Sequence, residues 1–541
     1  MSWYWILEPI PIGITSLLPL VLFPLLGILS ADEVANAYTN DTIFLFLGSF
    51  MVALSVEKWC LHRRVALWVL LKIGNHSALL LLGFMYTTAF LSMWISNTAT
   101  ASVMAPLVVS ILNQLGKPPE VELESRPPKQ LGDSDVEEIS MDSAGTIEGL
   151  VYEKTAAASA SQQAAGSGKP KGLRRYSSGY LLGIAFSASI GGTATTIGTG
   201  PNLALLEQMK QLFPDSDEIS FSSWLVFAFP LAMLLIFITW VLLVFIFIRR
   251  RKGEQRFVKF DIISFEEQYA ALGRVSFEEG IIMVLVLLMA LLWFFRTGIG
   301  PIPGWARLFS SDTSSVGDGT VATLCAALLF VFPAVNPLPS KDAPPSPESD
   351  EPVLLPDGSD EVRCARRILD WADMKQIPWG MILLFGGGFA LARGFISSGL
   401  SGAIGSMLCA FSSLPIFLVA VCTSCIITFT TEFTSNVATT NIVLPILASM
   451  SVAIGENPLI LMISGTLCCS MAFMFPVATP PNAIVFTYNI VRTTDMLRMG
   501  LIMKFTVIAI VVWLFLVGRY TFGIRVGDMP AWASALRTHS C

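Results

Sequence analysis

Two copies of one polar phrase lie inside strongly apolar sequence, and they limit the possible folds more than any other feature. Residues 90–109 read FLSMWISNTATASVMAPLVV, and residues 433–447 read FTSNVATTNIVLPIL. Aligned on Asn97 and Asn436, Ser96 matches Ser435, Ala99 matches Ala438, Thr100 matches Thr439 and Pro106 matches Pro445. The match extends upstream, where LFLGSFMVAL at 45–54 parallels LLFGGGFALA at 383–392. Downstream, IGTGPN at 197–202 parallels VATPPN at 477–482. An internal repeat of this size, in a chain this apolar, points to a transporter built from two related halves.

The chain has 541 residues, of which 53% are hydrophobic and 14% charged; soluble domains carry about 25% charged residues. The apolar runs at 224–248, 281–295, 321–332 and 501–517, with their flanks, approach the roughly 20 residues that span a bilayer as helix. An all-α polytopic membrane protein follows, and a β-barrel would instead alternate in short strands. Net charge is −6 and no basic tract suits nucleic acid. Cys422 and Cys425, and the pair Cys468–Cys469, fall in apolar runs and read as small packing residues. His62, His76 and His539 are too scattered for a metal site. No nucleophile–base pair with suitable spacing suggests an enzyme. The start, MSWYWILEPIPIGITSL, lacks the basic n-region of a cleavable signal.

Lys and Arg near helix ends orient such a chain. Arg249, Arg250, Arg251 and Lys252 mark a cytosolic end, as do Lys169, Lys171, Arg174 and Arg175. Arg363, Arg366 and Arg367 place a third loop inside, whereas 213–223 has acids and no Lys or Arg and fits outside. The two repeats then have opposite orientation, with cargo expected at their interface near the midplane. Asn40-Asp41-Thr42 is an outer glycosylation sequon close to a helix start, and Asn75-His76-Ser77 falls on the cytosolic side. RRYSS at 174–178 has the form of a phosphoacceptor.

Ser, Asn, Thr and Gly cap helices better than they continue them. A polar break at membrane depth survives where it lines a cavity. Each SN phrase therefore reads as the tip of a helical hairpin. Free carbonyls and hydroxyls there suit a hard cation, and free N–H groups at a helix start suit an anion. Gly198-Thr199-Gly200-Pro201 and Ala478-Thr479-Pro480-Pro481 read as matching breaks in neighbouring helices. No Lys or Arg falls in either phrase or break. Cations bound beside the anion would supply the charge, which argues for cation-coupled anion transport. Glu432, four residues before Asn436, reads as a satisfied structural carboxylate, with tuning of cation affinity as the alternative.

WISNTAT at 94–100, GGTATTIGTGPN at 191–202, PWGMILLFGGGFA at 378–390, TEFTSNVATTNIVLP at 431–445 and FPVATPPNAIVF at 475–486 resemble the divalent anion:sodium symporters. These are the sodium-coupled dicarboxylate, citrate and sulfate cotransporters. The resemblance covers nearly the whole chain outside the loops. It implies a homodimer, in which a transport domain moves elevator-like against a scaffold. It implies one sodium site at Ser92, Ser96, Asn97 and Gly198, and another at Thr431, Ser435, Asn436 and Ala478. It implies substrate carboxylates held by Asn97, Thr98, Thr199, Asn436, Thr479 and Pro480. Sodium is then the co-transported ion, with no organic cofactor. Val437 departs from members with a hydroxyl at that position, though animal carboxylate members share the Val. The family begins with more helix before the equivalent of Glu8-Pro9-Ile10-Pro11, where this chain has only seven residues.

The expected layout is scaffold helices at 1–75, a first re-entrant hairpin at 76–116 and a disordered cytosolic loop at 117–175. Transport-domain helices follow at 176–248 with a break at 198–201, then a basic cytosolic segment at 249–279. Scaffold helices at 280–335, a cytosolic loop at 336–376 and a scaffold helix at 377–405 come next. A second re-entrant hairpin at 406–452, transport-domain helices at 457–522 with a break at 478–481, and an extracytosolic tail at 523–541 complete it. The expected function is sodium-driven elevator transport of succinate, malate or citrate across a membrane, with the plasma membrane expected and an endomembrane or vacuole as alternatives. Sulfate cotransport, sodium-independent dicarboxylate exchange and a truncated inactive form stay open.

Overall fold

The computed structural model describes residues 2–7, 9–72, 77–114, 171–249, 263–296, 298–299, 302–309, 316–334, 367–400, 403 and 414–536. Their architecture is helical, apart from a ribbon pairing Gly298–Ile299 with Ile302–Pro303. Six spans among them are long and apolar enough to cross a bilayer. Most of the expected loop at 117–175, Asn75, His76 and His539 lie outside the described residues.

Short helices α1 (Ser2–Leu7), α2 (Ile12–Thr15), α3 (Leu18–Leu25) and α4 (Ala31–Asn36) lead into α5 (Asp41–Lys58) and α6 (Leu61–Leu71). α7 (Ser77–Ser92) and α8 (Asn97–Gln114) form a hairpin. α9 (Lys171–Gly192) stops at a non-helical stretch, after which α10 (Gly200–Leu212) resumes. α11 (Phe221–Leu243) runs on into a π turn, and α12 (Ile263–Ala271), α13 (Phe277–Phe294) and α14 (Asp318–Val331) follow. The second half repeats the plan. α15 (Trp379–Ser397) precedes a hairpin of α16 (Ile416–Thr430) and α17 (Asn436–Ile454). α18 (Pro458–Cys469) stops at a second non-helical stretch, and α19 (Pro480–Thr487), α20 (Thr493–Met503) and α21 (Thr506–Thr521) end the chain's long elements.

The helix starts follow from local chemistry. Ser220 and Ser276 close capping boxes at α11 and α13. Pro201 and Pro480 sit in the first turns of α10 and α19, where no N–H is needed. The non-helical backbone thus lies upstream of the Gly/Pro pairs, at 193–199 and 470–479, and the expected breaks at 198–201 and 478–481 are partly helical. The apolar run at 501–517 is divided as well, because Lys504 and Phe505 form a turn between α20 and α21.

Packing repeats in the two halves. α7 and α8 pack on α9 as α16 and α17 pack on α18. The second arms cross over, so α8 packs on α19 and α17 on α10. A Cβ on Gly191 would collide with the Ala89 backbone, so α7 and α9 meet almost backbone to backbone. α5 pairs mainly with α14, and α15 touches α2, α10 and α17.

Two sequence motifs are structural. Ser177 and Ser178 lie within α9 with no exposed surface, and Ser178 Oγ donates to the Arg174 carbonyl at 3.1 Å. A kinase cannot reach them in the folded chain, which removes the phosphoacceptor reading of RRYSS. Asn40 caps α5 by accepting from Ile43 N at 2.9 Å, while its amide donates to Glu207 at 2.7 Å. Beside it Lys210 pairs with Asp41 at 3.2 Å, and together these bonds tie α5 to α10.

Candidate functional site

The first hairpin turns between Ser92 and Asn97, and Ser96 caps α8 by accepting from Ala99 N at 3.1 Å. Ser92 Oγ lies 2.5 Å from Asn97 Oδ1 and 2.7 Å from the Ala188 carbonyl of α9. The second tip repeats this circuit. Thr431 Oγ1 lies 2.8 Å from Asn436 Oδ1 and 2.8 Å from the Cys469 carbonyl of α18. A hydroxyl has one proton to give. In each circuit two acceptor oxygens face that one proton, so lone pairs are in surplus, as a hard cation requires.

The first circuit opens onto the break. A Cβ on Gly192 would sit 2.5 Å from Asn97 Oδ1 and 2.8 Å from the Gly198 carbonyl. The glycine therefore leaves a small space edged by oxygens. The residues present fit a sodium ion there.

Each break is clamped by an asparagine of the helix that follows it. Asn202 Nδ2 donates to the carbonyls of Thr193 (3.1 Å) and Thr195 (2.7 Å). Asn482 Nδ2 donates to those of Ala472 and Phe475, both at 3.1 Å. Both Oδ1 atoms are buried without a hydrogen-bond partner, as is Thr479 Oγ1. A buried polar atom left unpaired costs about 1–3 kcal/mol, and of these three residues Thr479 also lines the neighbouring cavity.

Above the circuits is a cavity of about 1090 Å³. Ser96, Asn97, Thr98, Gly198 and Thr199 line it from the first repeat, and Ser435, Asn436, Ala478, Thr479 and Pro480 from the second. Ser92 and Thr431 lie beneath, fully buried. All the residues expected from sequence to hold sodium or substrate thus meet in one place. The far wall is α5, with Phe46, Phe50, Ala53, Leu54 and Glu57, joined by Pro378 and Met381 at the start of α15.

Four helices begin at this cavity, at Asn97, Gly200, Asn436 and Pro480. Each start presents unpaired N–H groups and about half a positive charge. Among the described residues no Lys or Arg lines the cavity. Glu432 does not offset the helix starts, because it is already neutralised. It accepts from Phe473 N and Met474 N, both at 2.9 Å, and pairs with Lys504 Nζ at 2.6 Å. This is the structural carboxylate expected from the sequence, and its side chain has no exposed surface.

Asn202, Asn482 and Lys504 have roles that the motif reading of the sequence does not supply. The two asparagines were visible, since each closes a matched IGTGPN or VATPPN phrase. Lys504 gave no local signal, because its partner lies 72 residues away.

The model of the "Sodium:sulfate symporter transmembrane region" family matches residues 1–524. The chain is 38% identical to the Na(+)/citrate cotransporter of Mus musculus, over 99% of this chain and 91% of that one. It is 37% identical to solute carrier family 13 member 2 of Homo sapiens, over 100% of this chain and 90% of that one. It is 36% identical to Na(+)/dicarboxylate cotransporter 3 of Homo sapiens, over 98% and 88%.

Proposed function

The chain belongs to the sodium:sulfate symporter family, and from that membership we propose that it is a sodium-coupled carrier of di- and tricarboxylates such as succinate, malate and citrate. It is an integral membrane transporter and not an enzyme. One observation carries the reading: four helix starts converge on a cavity with no basic side chain among its described lining, above two acceptor-rich circuits. A multiply charged anion placed there needs cations beside it, and that mutual need is the coupling. The names of the similar citrate and dicarboxylate cotransporters favour carboxylates as cargo.

In this reading Ser92, Ser96, Asn97 and Gly198 hold one sodium, and Thr431, Ser435, Asn436 and Ala478 hold another. The carboxylates take the amides and hydroxyls of Asn97, Thr98, Asn436, Thr199 and Thr479 and the helix start at Pro480. Hairpins and broken helices move as one body, elevator-like, against the α5–α14 scaffold, in a homodimer of the plasma membrane. The cavity lining reaches Glu57 near the end of α5, which is the cytosolic end in the orientation set by the basic loops.

The test is uptake of labelled succinate into proteoliposomes under an inward sodium gradient, with choline as control and citrate and sulfate as competitors. Sodium-dependent uptake that carboxylates block, and that Asn97→Ala or Asn436→Ala abolishes, is the expected result. Block by sulfate alone would move the reading to sulfate, which the family description also names. Uptake needing internal dicarboxylate instead of sodium would make the protein an exchanger.

A further inference from the structure

The cavity wall holds an acid that the proposed cycle leaves unused. Glu57 lies in the last turn of α5, lines the cavity and is half-buried. Its carboxylate has no hydrogen bond or ion pair among the described residues. The neighbouring cations are committed elsewhere: Lys58 pairs with Asp373 at 2.7 Å, and Arg64 with Glu279 at 3.0 Å. Lys375, just before the lining residue Gln376, is exposed and lies outside the lining. The contrast with Glu432 is direct, since that carboxylate has a lysine and two amide donors. Glu57 is thus the uncompensated charge of the described lining.

We propose that Glu57 is a specificity-determining charge acting in opposite senses on the two cargo ions: it draws sodium into the cavity, and it weakens the hold on the carboxylate so that the anion leaves. The inference rests on the carboxylate reading above. A round cavity of this volume is about 13 Å across, longer than the ~8 Å screening length of bulk physiological salt, but a half-buried charge in a protein wall is screened much less than an exposed one. A fixed charge in its wall is therefore felt at the tips. Coulomb energy scales with the valence of the ion. If removing the charge strengthens binding of a monoanion by some factor, it strengthens binding of the matching dianion by the square of that factor. For sodium the same change weakens binding.

The experiment compares wild type with Glu57→Gln and Glu57→Asp as purified full-length protein. Binding of labelled succinate and of its monoamide, succinamate, is measured at saturating sodium, and succinate binding is then titrated with sodium. Glu57→Gln is expected to bind succinate about 3–10-fold more tightly, and succinamate by the square root of that gain. It should need more sodium for half-maximal succinate binding and turn over more slowly in proteoliposomes. Glu57→Asp should stay near wild type. Where succinamate binding is too weak to read, the succinate gain should shrink as ionic strength rises at fixed sodium. Unchanged succinate affinity, a gain indifferent to salt, or a parallel fall in sodium and succinate affinity overturns the proposal. Wild type that binds no succinate with sodium defeats the carboxylate reading instead, and this inference with it.

Discussion

At the first tip the circuit is neutral throughout: Ser96 caps α8, and Thr195 Oγ1 donates to the Met93 carbonyl at 2.7 Å, tying break to hairpin. At the second tip Ser435 makes no capping bond, and a buried ion pair takes over. Glu432 holds two amides of the break, and Lys504, from the turn between α20 and α21, neutralises it and also donates to the Thr428 carbonyl at 2.6 Å. The innermost geometry, hydroxyl to asparagine to helix carbonyl, is the same in both. The comparison teaches that the oxygen circuit is what both halves share, while its support can be built from neutral bonds or from charge. The supports differ in what failure costs. Neutral hydrogen bonds contribute about 0.5–1.5 kcal/mol each. Orphaning one member of a buried pair costs about 3–5 kcal/mol.

The largest effect is expected from Lys504→Met, which strands a carboxylate with no exposed surface. A loss of about 3–5 kcal/mol is expected, seen as a large drop in unfolding temperature in detergent. Glu432→Gln on the same chain should recover much of it. If Lys504→Met unfolds like wild type, the second tip is not held by charge.

Next comes Gly192→Ala, which puts a methyl into the oxygen-edged space of the first tip. Overpacking of about 1–3 kcal/mol corresponds to roughly 5–150-fold in sodium affinity. Sodium titration of succinate uptake should show the shift in protein that stays monodisperse. A normal sodium curve would mean that the ion sits elsewhere.

Ser92→Ala and Thr431→Val test whether the two tips are equivalent, since each deletes the one proton its circuit shares. Each should cost about 1–3 kcal/mol of function. Ser92→Thr and Thr431→Ser should stay near normal uptake. Losses that differ by much more than about tenfold (1.4 kcal/mol) would show that the two circuits are not equivalent.

Val437→Thr should have the smallest effect. Val437 lines the cavity and packs against Gly200, where a glycine Cβ would collide with it. A threonine keeps the shape and adds one neutral donor, worth about 0.5–1.5 kcal/mol at most. A modest gain in succinate affinity is expected, and a large loss would mean that the packing against Gly200 matters more than the hydroxyl.

The tips were legible because the sequence there departs sharply from its surroundings. Ser96-Asn97 and Ser435-Asn436 begin helices, and so do Gly200 and Pro480. The extent of unwinding was less legible, because Thr193–Thr196 and Met471–Phe475 have no Gly or Pro of their own to interrupt a helix. Those stretches leave the helix while Asn202 and Asn482 take up their carbonyls, an exchange that local propensity cannot register. The division at Lys504 is of the same kind: the turn brings Lys504 to a carboxylate in the tip of the second hairpin. Glu57 carries no signal in the sequence, because one acid at the end of an apolar helix looks like an ordinary interfacial charge until the cavity beside it is seen.

The amide of Asn40 is fully committed, to Glu207 and to the Ala37 carbonyl, while its oxygen caps α5. A sugar on that nitrogen and the finished fold exclude one another, since N-glycosylation consumes one of its two donors and adds a bulky group in their place. Any glycan at this sequon must be attached before α5 and α10 come together, and it would keep them apart. An endoglycosidase-sensitive band on a gel would then count molecules in which the two helices never locked, and its fading during a chase would follow their removal and not their maturation.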